Sequence, residues 1–306
     1  MKRLVVALLL GALVMTGCST VGKSNTESAY SVKLMAHVEN EEFTYSVETY
    51  DITAGVKEEI EDSQIVSIQV GNQAVDAKLI AIEDFEHRGE REIYLSEDEN
   101  IKYMIEKGSK TFYIDAKEGA LLAEADMEQL TEEAFVSFVK QYLANYIDVD
   151  DVEEYTYKCA TSIIINGENS TSSEAKEGFY LPTKENEEIT GYQLSFKKYH
   201  NGIETVEGVD VACDADGSIY RVMSSDYDVD WGTVVINQKD VENSILAFFK
   251  NNDVTKHQVS GFDIQAQRLT YLDEEIQLSV AVNIDVKGKD ATHPLLCVLL
   301  VEVGQQ

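Results

Sequence analysis

The sequence predicts an α+β protein, in which an N-terminal mainly-β domain precedes two modules that each place a helix on an antiparallel sheet. Three observations lead to this fold class. Residues 31–128 alternate apolar and polar residues in short runs, which is the period of half-buried strands. Two later segments, 131–146 and 237–251, space their apolar residues as amphipathic helices do. Each helical segment is followed by alternating segments and turn residues, as expected of a sheet that packs on it.

The N-terminus has the features of a bacterial export signal. Lys2 and Arg3 precede an apolar run, residues 4–15, which is shorter than the roughly 20 residues that a membrane-spanning helix needs. Cys18 follows a short stretch that resembles the cleavage site of bacterial lipoproteins. The resemblance implies that Cys18 is lipidated and that the chain is anchored on the extracytoplasmic face of a Gram-positive cell membrane. An ordinary secretory signal with a chance cysteine is the alternative.

The polar segment after Cys18 is predicted to be a flexible tether, because it is rich in Gly, Ser, Thr and Asn. The predicted organisation is therefore a signal peptide at 1–17, a lipidated Cys and tether at 18–30, a β-rich domain at 31–128, and two helix-and-sheet modules at 129–235 and 236–306.

The charge of the chain excludes nucleic acid as a partner. The sequence has 25 Lys and Arg against 56 Asp and Glu, and a formal net charge of −31. Such a field repels phosphate backbones and anionic headgroups. The hydrophobic content of 44% still allows packed cores, so the acidity does not indicate a disordered chain.

The β-rich domain is predicted from its alternating segments and from the Gly-containing turns between them. The predicted strands are 32–38, 43–47, 65–70, 75–82, 93–95, 103–105 and 112–114.

Thr131 is a suitable N-cap for the first helix, and Glu132 and Glu133 suit the positive end of its dipole. Residues 155–165 are predicted to be a strand, and 166–188 a mobile polar loop. A three-stranded meander is then predicted within residues 192–231, with turns at Asn-Gly and Asp-Gly pairs.

The meander resembles the PepSY-type domain of secreted protease propeptides and of membrane-tethered regulators in Gram-positive bacteria. The residues that carry the resemblance are Phe196, Asn201, Gly202, Ile203, Val209, Val211, Asp216, Gly217 and Ile219. Where the family commonly has Pro after the Gly-Ile pair, this chain has Glu204. Residues 237–303 repeat the order of helix and strands, with Asn237 as N-cap, so the resemblance implies two PepSY-like or cystatin-like modules in tandem.

Cys18 aside, the chain has three cysteines, Cys159, Cys213 and Cys297, in no CxxC pair. A disulfide framework is not expected. A bridge between Cys159 and Cys213 and two buried free thiols are both compatible with the sequence.

No sequence motif indicates catalysis or a cofactor, because the metalloprotease, hydrolase, dinucleotide and P-loop patterns are all missing. The five histidines have no ligand spacing. Alternating carboxylates at Asp226, Asp228 and Asp230 fit either a solvated strand edge or a weak divalent-cation site. We expect no catalytic residue, no metal site and no cofactor.

These observations favour a lipid-anchored, non-catalytic binding or regulatory protein whose partner is an envelope protein or peptide. The PepSY resemblance implies modulation of an envelope peptidase or of a membrane sensor. The expected recognition surface is the meander, Tyr192–Tyr199 with Val209–Cys213, which would capture a peptide by strand addition. The alternative is an assembly lipoprotein that holds an envelope complex together through its N-terminal β domain. A hydrolase built on acidic residues is the least supported function.

Overall fold

The computed structural model describes residues 19–20, 29–37, 43–44, 49–53, 55–61, 63–126, 130–147, 155–166, 171–287 and 295–303. These residues form two compact units. The central unit is Ala54–Val229, and the terminal unit combines Met1–Thr53 with Asp230–Gln306.

The described residues are mainly strands, with two α-helices. Numbered along the chain, the elements are β1 (Ser19–Thr20), β2 (Ser31–His37), β3 (Gly55–Glu59), β4 (Ile65–Val70), β5 (Gln73–Phe85), β6 (Gly89–Ser96), β7 (Ile101–Glu106), β8 (Phe112–Ala116), α1 (Glu132–Leu143), β9 (Thr156–Asn166), β10 (Thr171–Glu177), β11 (Glu187–His200), β12 (Ile203–Cys213), β13 (Ile219–Ser225), α2 (Gln238–Asn251), β14 (Val259–Leu272), β15 (Glu275–Val286) and β16 (Leu296–Glu302).

The central unit contains an eleven-stranded antiparallel sheet. Its strand order is β10-β9-β11-β12-β13-β8-β7-β6-β5, and both β3 and β4 pair with the remaining edge of β5. The ladder between β8 and β13 joins strands that are about a hundred residues apart, with Ile114 opposite Val222. The segment between β8 and α1 is also fixed to β13, because the Ile219 amide donates to the Ala123 carbonyl at 2.8 Å.

The predicted α+β fold class and the tandem PepSY-like modules are therefore wrong. The strands assigned to the first module continue through the β13–β8 ladder into the strands assigned to the N-terminal β domain. Strand β2, assigned to the same β domain, pairs instead with β16 in the terminal unit. The protein is predominantly β, and its two described helices do not define two separate helix-on-sheet modules.

Helix α1 forms where the sequence predicts it, but it is shorter. The side chain of Thr131 accepts a hydrogen bond from the Ala134 amide at 3.3 Å, which confirms the predicted N-cap. Its apolar residues recur at helical spacing, and the buried ones are Phe135, Val139, Tyr142 and Leu143. The helix ends at Leu143, three residues before the predicted end.

The apolar face of α1 packs on the middle of the large sheet. Apolar side chains of β8, β9 and β11–β13 cover it, including the fully buried Ile114, Leu194 and Phe196. Burying each such side chain contributes about 1.5–3 kcal/mol, so this core holds the centre of the sheet together.

The three-stranded meander β11–β12–β13 is confirmed, with the predicted turns. Asn201 and Gly202 both have positive φ, at 50° and 81°, as the tight hairpin turn requires. Gly208 marks a close approach of two strands, because a Cβ there would lie 2.4 Å from the backbone oxygen of Phe196. The segment 166–188, predicted as a mobile loop, instead contains β10, which pairs with β9.

The terminal unit is a smaller antiparallel sheet with strand order β2-β16-β15-β14-β1. Helix α2 begins after Asn237, whose side chain accepts from the Lys239 amide at 3.1 Å, as predicted. Its buried residues include Ile245 and Phe249, and Phe249 packs on Phe262 of β14 at 6.2 Å between ring centroids.

Candidate functional site

The candidate site is one edge of the central sheet, formed by β3 and β4. Both strands pair with the same edge of β5, β3 with residues 81–85 and β4 with residues 73–78. The Ile60 amide bonds the Ile80 carbonyl at 2.9 Å and Ile65 pairs with Lys78, so only Leu79 of β5 lies between the parts of β5 that bond the two segments. Within the described ranges, β5 is the sole pairing partner of both strands. The backbone groups that point away from β5 therefore present a pairing edge.

Strand β4 lacks the usual protection of an edge strand. Its six residues include four β-branched apolar side chains and no charge or proline, and Ile65 and Val66 are 51% and 39% exposed. Natural edges are commonly blocked by charged side chains, and β3 has them in Lys57, Glu58 and Glu59. The unprotected part of this edge is therefore β4.

The apolar face of β4 is buried in the α1 core at its C-terminal end and exposed towards its N-terminal end. Val66, Ile68 and Val70 alternate along the strand and so share one face. Val70 is 5% exposed and belongs to the α1 core, Ile68 is half-buried, and Val66 is exposed. An added strand with apolar residues on this face would extend the same core.

The turn between β4 and β5 is fixed against the end of α1. Gly71 has a φ of 59°, and a Cβ there would lie 2.7 Å from Cε2 of Tyr142. The Gly71 amide donates to the hydroxyl of Tyr146, and the Tyr142 and Tyr146 hydroxyls are 2.8 Å apart. Burial raises the pKa of both tyrosines above the ordinary value, so both hydroxyls keep their protons. The core thus holds one end of β4 rigidly while the other end is exposed.

Most of the surface predicted for peptide capture, Tyr192–Tyr199 with Val209–Cys213, has no free edge. Strand β11 lies between β9 and β12 and pairs with both from Tyr192 to Lys197. Strand β12 is likewise paired on both sides from Gly208 to Cys213. A peptide therefore cannot add to these residues.

The polar face of this meander is occupied by internal ion pairs. Asp210 accepts from the Ser195 hydroxyl at 2.6 Å and pairs with Lys197. Arg221 of β13 pairs with Asp115 of β8 at 2.9 Å. Since these groups satisfy each other across neighbouring strands, they stabilise the strand register and do not define a ligand site.

A second polar cluster closes the loop between β10 and β11. The Glu187 side chain is 1% exposed and accepts from the Tyr180 hydroxyl, from Lys184 at 3.3 Å and from Lys176 at 3.5 Å. The Tyr180 hydrogen bond, followed by the Lys184 hydrogen bond, lowers the pKa of Glu187 to about 2. This carboxylate therefore stays ionised and fixes the loop.

The cysteines give no reactive site within the described ranges. Cys159, Cys213 and Cys297 are buried free thiols, so Cys159 and Cys213 do not form the bridge considered above. Burial raises the pKa of all three, that of Cys297 to about 12, which makes them poor nucleophiles. The predicted lipidation site, Cys18, lies outside the described residues, and its lipidation stays a prediction.

The absence of a metal site and of catalysis stays a prediction. Within the described ranges, no group of three or more His, Cys, Asp or Glu side chains is arranged to hold a metal ion. The carboxylates considered for a divalent cation follow β13 in irregular chain, where Asp226 accepts from the Asp228 amide at 3.1 Å and Asp230 from the Gly232 amide at 2.9 Å. In the part of the chain that the structure describes, no helix has the length and apolar character needed to cross a membrane.

A shallow open depression lies on the exposed side of α1, between Glu132 and Lys140. It is lined by Glu132, Glu133, Val136, Ser137 and Lys140. It has no convergent set of polar groups, so it is the solvated side of the helix.

Comparison with known proteins adds no identification. No protein-family model, curated protein or solved structure matches the chain.

Sequence reasoning identified residues 65–70 as a strand but missed the edge that they form. The signal is present in the sequence, because four of the six residues of Ile65–Val70 are β-branched and none is charged or proline. The local pattern does not show that β4 pairs with one neighbour only, because this depends on the order of the strands in the sheet.

Proposed function

We propose that the protein is a lipid-anchored, extracytoplasmic, non-catalytic binding protein that takes an extended segment of another envelope protein as an added strand on β4. The observation that carries the proposal is the exposed, uncharged edge of β4, which is held at its turn by the α1 core. Main-chain hydrogen bonds would supply affinity, and the face of Val66 and Ile68 would select apolar side chains at alternate positions.

The anchoring part of the proposal depends on the sequence. The export signal and Cys18 support a lipid anchor, and the net charge of −31 argues against nucleic acid as the partner. A partner held permanently at the same edge would make the protein an assembly lipoprotein. That second candidate is favoured by the location of β4 within residues 31–128, the segment predicted to act in assembly.

The test is site-specific photocrosslinking on intact cells with the full-length protein. A photoreactive residue replaces Ser67 on β4 in one variant and Met223 on β13 in a control. Both positions are exposed, but Met223 pairs on both sides, with Asp210 and Tyr113, and so offers no edge. We expect a discrete adduct from position 67 that position 223 does not give.

A second substitution separates strand addition from simple proximity. Val66→Lys places a charge on the apolar face of the edge, which opposes pairing, and it should abolish the adduct from position 67. Val235→Lys, at a site 60% exposed in the terminal unit, is the matched control and should leave the adduct unchanged. Equal adducts from positions 67 and 223, or no adduct from either, would contradict the proposed function.

A further inference from the structure

The edge formed by β3 and β4 has an uneven distribution of charge. Residues 55–61, which include β3, contain Lys57 against Glu58, Glu59 and Glu61, so their net charge is 1 − 3 = −2. Strand β4 contains no charged residue. Because both strands follow the same edge of β5, an added strand long enough to pass β4 reaches the acidic part next.

One of the acidic side chains is already partly neutralised. Lys57 Nζ lies 2.6 Å from Glu59 Oε1, and the hydrogen bond to Glu59 raises the pKa of Lys57. Because Lys57 and Glu59 neutralise each other, the net charge of −2 of residues 55–61 comes from Glu58 and Glu61, both of which are exposed. A cation on the incoming strand would meet these two carboxylates in solvent.

Antiparallel pairing with β4 would set the direction of the incoming strand. Every strand ladder whose register is defined within the central unit is antiparallel, and antiparallel pairing is slightly more stable per residue than parallel pairing. A strand that adds antiparallel to β4 passes Val70 first, Ile65 later, and the acidic residues of 55–61 last. Its positively charged residues must therefore follow its apolar residues.

We infer that the occupant of this edge is a protein segment of about six residues with alternating apolar side chains, followed on its C-terminal side by two or three Lys or Arg. The inference rests on the proposed function and specifies its ligand class. A second copy of the chain does not meet this description, because it would bring a further charge of −31 to the interface.

The test compares synthetic peptides by fluorescence anisotropy with the full-length protein in neutral detergent. The first peptide alternates Thr and Val over six residues and ends in Lys-Lys-Lys. The second has the lysines before the alternating part, and the third has Gln in place of Lys. We expect the first peptide to bind about tenfold more tightly than the third at low salt, since it gains two exposed ion pairs. The advantage should shrink as salt shortens the screening length from ~30 Å at 0.01 M to ~3 Å at 1 M.

Two variants locate the effect on the protein. Glu58→Gln with Glu61→Gln should remove the advantage of the first peptide and leave binding of the neutral peptide unchanged. Glu185→Gln, at an exposed position in the loop before β11, is the control and should change neither affinity. Val66→Lys should weaken all three peptides, which distinguishes edge binding from general attraction to an acidic protein.

The outcomes separate this inference from the proposed function. If the neutral peptide, or the one with lysines first, binds as tightly as the first peptide and Val66→Lys weakens all of them, the edge is confirmed and the charge inference is wrong. If no peptide responds to Val66→Lys, the proposed function fails as well. Sedimentation velocity completes the test, because a dimer that Val66→Lys dissociates would make a second copy the occupant and overturn the inference.

Discussion

Substitution of Gly71 by Ala should destabilise the central unit through two separable effects. The first is backbone strain, because a φ of 59° costs a residue with a Cβ about 1–2 kcal/mol. The second is overlap, because the new Cβ would lie 2.7 Å from Cε2 and 3.3 Å from Cζ of Tyr142. The Tyr142 ring is buried and its hydroxyl bonds Tyr146, so it cannot move aside freely. Overpacking of this kind costs about 1–3 kcal/mol, and the total is about 2–5 kcal/mol.

Gly108 provides the matched control. It also has a positive φ, 83°, in a turn of the same unit, but a Cβ there would meet no atom within 4 Å. Gly108→Ala therefore measures the strain alone, about 1–2 kcal/mol. The difference between the two variants should be about 1–3 kcal/mol, which isolates the contact between the β4–β5 turn and α1.

Urea unfolding followed by far-UV circular dichroism measures the effect. Gly71→Ala should shift the unfolding transition to a lower urea concentration. Its excess cost over Gly108→Ala should also disappear in a Tyr142→Leu background. If Gly71→Ala cost no more than Gly108→Ala, the packing of this turn against α1 would be refuted.

Three further outcomes test the structure. The pKa of Glu187 is about 2 in the folded protein against an ordinary value of 4.5, so its contribution to stability is present above pH 4.5 and is lost as the pH falls towards 2. Glu187→Gln should therefore reduce the loss of stability between pH 4.5 and pH 2. If stability depended on pH in the same way in the variant, the role of the cluster would be contradicted. Gly208→Ala, whose Cβ would meet backbone of the neighbouring strand at 2.4 Å, should cost at least about 2 kcal/mol more in urea unfolding than Gly202→Ala, whose Cβ meets nothing within 4 Å. In a Cys18→Ser chain, the three buried thiols should react with a thiol reagent only after unfolding, and rapid labelling of the native protein would show that their burial is wrong.

The local elements of this fold are predictable from the sequence because their signals are local. Thr131 and Asn237 cap helices whose apolar spacing is visible within four turns. The turns at Asn201 and Gly202 are given by residues that accept positive φ. These patterns depend on neighbours in the chain and need no knowledge of the tertiary structure.

The errors concern pairings between distant parts of the chain. Nothing in the alternation of β8 specifies that it pairs with β13 rather than with a strand of its own predicted domain. The helix-then-strand order was therefore interpreted as two independent modules, although the first sheet continues into the strands before α1. The same limitation concealed the site, since whether β4 is an edge strand depends on the order of all eleven strands.

Amide hydrogen exchange of residues 65–70 is the most direct test of strand addition at β4. It is measured on the full-length protein in neutral detergent, with and without a saturating concentration of the peptide that ends in Lys-Lys-Lys. Amides of β4 that point away from β5 should exchange more slowly in the complex, because the added strand now accepts their hydrogen bonds. The amides of β11, which already pairs on both sides, should not change. Binding without protection of β4, or with protection confined to other strands, would contradict the central claim.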